Sequence, residues 1–171
     1  MAQPEKSCSA DIYPVSLARA FSHADSKRKR PLFDALDNGF GSLEVDVWFV
    51  DGELLVGHDR EDLVPGRTLE ALYLKPLADR ARWNEGRIYP SSQSVQLMID
   101  IKTAPESSYK AVHELLKKYK DMLTTFNKAS VVESAVTVVI SGERPFAQME
   151  SQKLRYAAYD GRLSDLGNGC S

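Results

Sequence analysis

The segment Ser42–Phe49, SLEVDVWF, alternates without a break, setting Glu44, Asp46 and Trp48 on one face and Leu43, Val45, Val47 and Phe49 on the other. A period of two is a strand, and side chains two apart on a strand point the same way, about 6.5–7 Å from each other. The fold must therefore give that acidic face water, a cation or basic partners, because burying unpaired charge is costly. Taken alone, an ExD pair is most simply the solvated face of an edge strand.

A second segment argues against that simple reading. VQLMIDIKT repeats the alternation, with Leu97, Ile99 and Ile101 opposite Met98, Asp100 and Lys102. Between the two, Asp51-Gly52 is a tight-turn signal, and ELLVG after it carries the chain back toward His58. Glu44, Asp46 and Asp100 could then offer oxygens to one hard cation, Mg²⁺ or Ca²⁺. Three carboxylates crowded without a cation repel one another, whereas a divalent ion removes that cost and leaves positions for water and phosphate oxygens.

The remaining pattern alternates strands with helices. RPLFDALDNGF (residues 30–40) reads as a short helix closed by Gly39, and TLEALYLKPLADRA (residues 68–81) as a helical stretch strained by Pro76. Beyond Pro105, apolar residues from Tyr109 to Leu123 recur three and four apart, the stripe of a helix of about four turns. AVTVVISG is almost continuously apolar and β-branched, as in a strand covered on both faces, and LRYAAYDG reads as another strand. NEGRIYPSSQS (residues 84–94) reads as a surface loop. The class is parallel α/β, either an open doubly wound sheet or a barrel. Acids on strand faces favour the barrel, whose mouth can solvate them or hold an ion.

Other candidate residues follow from chemistry. An imidazole near a metal-bound phosphodiester can protonate a leaving alkoxide, which fits His58, and His23 is available as the second base; a satisfied loop histidine is the plain alternative. Lys102 could neutralise charge on phosphoryl oxygens, or simply pair with Asp100. His113 lies within the amphipathic helix, next to Val112, and is assigned to the helix surface. The run Lys27-Arg28-Lys29-Arg30 reads as a solvated loop, with steering of a phosphate substrate as its functional alternative.

Composition narrows the partners. A net charge of -2 provides no general field for nucleic acid or an anionic membrane, so affinity for phosphate must be local. Cys8 and Cys170 sit near the two ends and read as free thiols in a reducing compartment. With no apolar stretch of signal-peptide or membrane-span length, a soluble cytoplasmic protein without a transmembrane segment is the expectation.

Together SLEVDVWFVDGELLVGHD, IDIKT, VVISGERP and RYAAYDGRLSDL resemble the phospholipase C-like phosphodiesterase superfamily, which includes phosphatidylinositol-specific phospholipases C and glycerophosphodiester phosphodiesterases, and within it the altered inheritance of mitochondria protein 6 branch. The resemblance implies a TIM-type (β/α)8 barrel, metal ligands at Glu44, Asp46 and Asp100, His58 as an acid/base histidine, and Lys102 on the phosphate. It further implies a phosphoric diester hydrolase acting on a glycerophosphodiester or lipid head group.

Two departures stand out. The opening motif, HSHNDY or HAHNDY in such proteins, is here Phe21-Ser22-His23-Ala24-Asp25-Ser26, lacking the first histidine and the asparagine. A whole barrel takes about 250 residues, so 171 correspond to roughly the first five strands. Residues 1–171 are thus expected to form a single partial barrel domain with residues 1–14 as a tail, and its open edges could pair with another copy. A metal- and phosphate-binding remnant without turnover is the rival reading.

Overall fold

The computed structural model describes residues 14, 16–90, 93–163 and 165. Cys8, Cys170 and all of the expected tail except Pro14 lie outside the described residues.

The core of the molecule is a sheet of five parallel strands: β1 (Leu17–Ser22), β2 (Phe40–Val50), β4 (Val95–Ile101), β7 (Val136–Gly142) and β9 (Ala158–Tyr159). They lie in chain order, β1-β2-β4-β7-β9, with no reversal. A doubly wound sheet would reverse its strand order at a switch point. β3 (Glu53–Val56) folds back antiparallel on β2, with Val50 opposite Glu53. The turn between them is the one expected: Asp51 and Gly52 both have positive φ, 50° and 85°, as a type I′ hairpin requires. A small second sheet, in the order β6-β5-β8, joins β5 (Thr125–Asn127), β6 (Val131–Val132) and β8 (Leu154–Arg155).

The two faces of the parallel sheet differ. Leu43, Val45 and Val47 of β2, Leu97 and Ile99 of β4, and Val138 and Ile140 of β7 are all 0–1% exposed. Helices α2 (Lys75–Trp83) and α3 (Pro105–Lys118) bury Leu77, Ala81, Tyr109, Val112 and Leu116 in the same core. On the other face Ser42, Gln96, Met98, Thr137 and Val139 are only half-buried. This corrects the expectation for AVTVVISG, because β7 alternates buried and half-buried residues and is covered on one face. Among the described residues the sheet is open at β1 and β9, and the fold is a mixed α/β one around a mostly parallel sheet.

Local chain chemistry sets several of the element ends. Helix α1 (Phe33–Asp37) ends before Gly39, which takes φ 79°. Pro76 causes less strain than expected: the stretch starts as a π-helical turn over Glu70–Leu74, and Pro76 falls in the first turn of α2, where its missing N–H is no loss. Helix α3 ends at Lys118, so Met122 and Leu123 enter the core from a separate 3₁₀ turn and its end. The supposed surface loop at residues 84–94 is half wrong. Ile88 and Tyr89 are fully buried, and the Tyr89 hydroxyl reaches the Leu36 and Phe40 carbonyls at 3.2 and 2.8 Å.

Candidate metal and phosphate site

The acidic face of the sheet becomes a cluster because the strands are in register. Asp46 of β2 pairs with Asp100 of β4, which pairs with Ser141 of β7. In a parallel sheet, residues in register share a face, so the three stand side by side at the C-terminal strand ends, with Glu44 two residues deeper on β2. Ligand oxygens of Glu44, Asp46 and Asp100 all lie within 4.8 Å of one another. Glu44 and Asp46 are 9% and 2% exposed, and β2 is flanked on both sides, so neither is the solvated face of an edge strand.

Each acid faces a basic group from a different element. His23, just past β1, sets Nε2 3.1 Å from Glu44 Oε2, and the Ala24 amide donates to the same oxygen at 3.2 Å. His58, just past β3, sets Nδ1 3.3 Å from Asp46 Oδ2. Lys102, just past β4, lies 2.9 Å from Asp46 Oδ1 and 3.1 Å from Asp100 Oδ2. Burial works to lower the Lys102 pKa, but its hydrogen bonds to Asp46 and Asp100 outweigh that and raise it above the usual lysine value. The plain alternative for Lys102, an ion pair with Asp100, is therefore present, with Asp46 included. The six residues singled out from the sequence, His23, Glu44, Asp46, His58, Asp100 and Lys102, all converge.

The donor set suits a hard divalent ion. All three ligands are carboxylate oxygens, the type Ca²⁺ and Mg²⁺ select. Oxygens on opposite sides of Ca²⁺ stand about 4.6–5.2 Å apart, and about 4.0–4.2 Å for Mg²⁺. Oxygens no more than 4.8 Å apart are compatible with coordination of one such ion.

Several residues that hold the site escaped the sequence reading. Gly142 has φ 67°, and a Cβ there would fall 2.0 Å from Asp100 Oδ1 and 2.4 Å from the Ile101 carbonyl, so this close approach excludes any side chain. The Trp48 indole N–H donates to the Gly57 carbonyl at 2.9 Å, fixing the backbone next to His58. Ser141 donates to Asp160, just past β9, at 3.2 Å, extending the polar row to a fifth strand.

Asp25 was the least expected. It is 0% exposed and accepts hydrogen bonds from Ser22 Oγ (3.0 Å), the Leu32 amide (2.6 Å) and the Tyr73 hydroxyl (2.9 Å). Burial, and then the Asp25 charge, push the Tyr73 phenol far above its usual pKa, so it stays a donor. Nothing local in FSHADS says which donors its Asp will meet.

Phe21 pairs with Ser42, so it shares the site face with His23, 6.3 Å away between ring centroids, and it is 43% exposed. A hydrocarbon ring thus stands where the resembling motif has its first histidine. His113 belongs elsewhere: it is half-buried between Tyr109 and Tyr156 and is not simply on the helix surface. The basic run is exposed as expected, but Arg30 is engaged by Asp34 and Asp37. No helix among the described residues is long and apolar enough to cross a membrane.

Residues 6–160 match the family described as the AIM6-like phosphodiesterase domain. The chain is 30% identical to an altered inheritance of mitochondria protein 6 homolog of Arthroderma benhamiae, covering 90% of this chain and 58% of the relative. It is 32% identical to altered inheritance of mitochondria protein 6 of Eremothecium gossypii, covering 89% and 45%, and 37% identical to that of Lachancea thermotolerans, covering 74% and 34%. The chain thus spans from about a third to rather more than half of the length of these relatives. No solved structure matches. With the family match running through the whole parallel sheet and every site residue, the chain belongs to the AIM6-like phosphodiesterase domain family.

Proposed function

We propose that this domain is the catalytic half of a metal-dependent phosphoric diester hydrolase acting on a glycerophosphodiester or a phospholipid-type substrate, a role in lipid metabolism. The observation that carries the reading is the convergence of three carboxylates, two histidines and a lysine at the C-terminal ends of neighbouring parallel strands. Sheet order without reversal, with helices over one face, supports the view that these strands are the first five of a (β/α)8 barrel.

Glu44, Asp46 and Asp100 would hold the cation, Mg²⁺ or Ca²⁺, which supplies charge neutralisation and polarises the phosphoryl oxygens. Asp46 keeps an N–H of His58 on Nδ1, which leaves Nε2 to exchange the proton with substrate. Glu44 holds His23 in the same way through Nε2, leaving Nδ1 free. The two imidazoles reach the site from different strand ends, as a base for the attacking hydroxyl and an acid for the leaving alkoxide must. Lys102 brings a positive charge to the phosphoryl oxygens.

Phe21 favours a second reading, in which the domain binds metal and phosphate without turnover, because an apolar ring at that position supplies no proton. Hydrolysis of bis(p-nitrophenyl) phosphate with Mg²⁺ or Ca²⁺ separates the two. Turnover that falls about 10²–10⁴-fold in His58→Ala supports the hydrolase. A thermal shift with metal and no turnover supports the binding domain.

A further inference from the structure

Lys102 holds the carboxylate oxygens that an incoming cation would need. Its ammonium spans Asp46 Oδ1 and Asp100 Oδ2 at 2.9 and 3.1 Å, and these two acids lie with Glu44 inside the 4.8 Å cluster. Around a nearly buried Asp46 and Glu44, this is, among the described residues, the single side chain in the cluster that carries a permanent positive charge. It thereby relieves the repulsion of three adjacent carboxylates when no ion is bound. A divalent ion and an ammonium group would repel each other strongly at such separations, so both cannot stay on Asp46 and Asp100.

Resting on the metal reading above, we propose that Lys102 is a resident counter-cation that the divalent ion displaces, and that displacement delivers its ammonium to the substrate phosphate. Lys102 is suited to this. It is the first residue after β4, and its side chain, a charged group on a flexible four-carbon stem, is 24% exposed. Once moved off the acids, its nearest new anion would be a phosphate held by the cation. Metal and phosphate binding are then coupled through one side chain: the ion must compete with the lysine, and phosphate is rewarded with it.

Calorimetric titration with Ca²⁺ and with Mg²⁺, alone and with inorganic phosphate, tests this on the wild-type chain and on Lys102→Met. The variant should bind metal about tenfold to a hundredfold more tightly, since the competing charged hydrogen bonds are gone. In the wild type phosphate should tighten metal binding, and in the variant that coupling should be mostly lost. Competitive acetylation of the wild-type lysines, read by mass spectrometry, needs no variant to fold: Lys102 should become severalfold more reactive with metal, while Lys117 and Lys118 stay unchanged. Metal binding that is equal or weaker in Lys102→Met, or a Lys102 reactivity that metal leaves unchanged or lowers, overturns the displacement and leaves the metal site standing. If neither protein binds either ion, the metal reading falls and this inference with it.

Discussion

The buried carboxylate Asp25 and the cluster of Glu44, Asp46 and Asp100 are satisfied in opposite ways. Asp25 is enclosed by neutral donors, an amide and two hydroxyls, which hold its charge in one place. Glu44, Asp46 and Asp100 are held by two histidines and a lysine, all on the rim, with His23 and His58 side chains 71% and 40% exposed. Neutral donors from the backbone and core are fixed by the fold and cannot be traded. Exposed rim groups can give way to a cation, and that difference separates a structural acid from a binding one.

The largest effect should come from the neutral pocket. Asp25→Ala leaves the Leu32 amide and the Tyr73 hydroxyl buried without acceptors, at about 1–3 kcal/mol each. It also removes the anchor of a strained turn: Leu32 sits at φ 66°, ψ −55°, with Phe33 N–H closing on Pro31 O at 2.8 Å. A loss of about 3–5 kcal/mol in urea denaturation is expected, with or without Ca²⁺. A loss below about 1 kcal/mol would mean that the pocket opens to water at little cost, and the contrast would fail.

Next in size is Gly142→Ala. A methyl cannot coexist with Asp100 Oδ1 at 2.0 Å, and φ 67° is itself unfavourable for alanine. A destabilisation of about 2–3 kcal/mol is expected, and calorimetry should show weaker metal binding because Asp100 must move. Normal affinity in a destabilised variant would show that the site tolerates a displaced Asp100.

Asp100→Asn should reverse the sign. Removing one of three crowded charges, while Lys102 keeps Asp46, should raise metal-free stability by about 1 kcal/mol, and the thermal shift produced by metal should vanish. A destabilised metal-free variant would place Asp100 with Asp25, as an acid that the fold itself requires.

How much of this could be read from the chain depends on how local each signal is. Alternation placed Glu44, Asp46, Asp100 and Lys102 on strand faces, because a strand's period is written in adjacent residues. The Asp51-Gly52 hairpin brought His58 back for the same reason. The neutral pocket was invisible because its donors come from residues 22, 32 and 73, brought together only by packing. Gly142 depends on a carboxylate 42 positions earlier, across a strand pair. One-sided coverage of β7 was misread because Thr137 and Val139 are apolar enough to pass for buried, and only the neighbouring strands reveal an uncovered face. Ile88 and Tyr89 were lost among turn formers, whose polarity describes the backbone around them and not where these two side chains point.

The smallest effect lies at the residue joining the two regions. Ala24 stands between His23 and Asp25 in the left-handed region, φ 49°, ψ 44°, and its amide donates to Glu44. Alanine visits that region at a cost of about 1 kcal/mol, whereas asparagine, the residue of the resembling motif, enters it readily. Ala24→Asn should therefore stabilise the fold by about 0.5–1 kcal/mol in chemical denaturation while retaining the amide bond to Glu44. Because that amide is fixed by the turn and not by the side chain, metal affinity should change less than about twofold. A large gain in affinity would instead mean that the strained turn holds Glu44 away from its best position, so that the neutral pocket and the cation cluster are mechanically linked through this one residue.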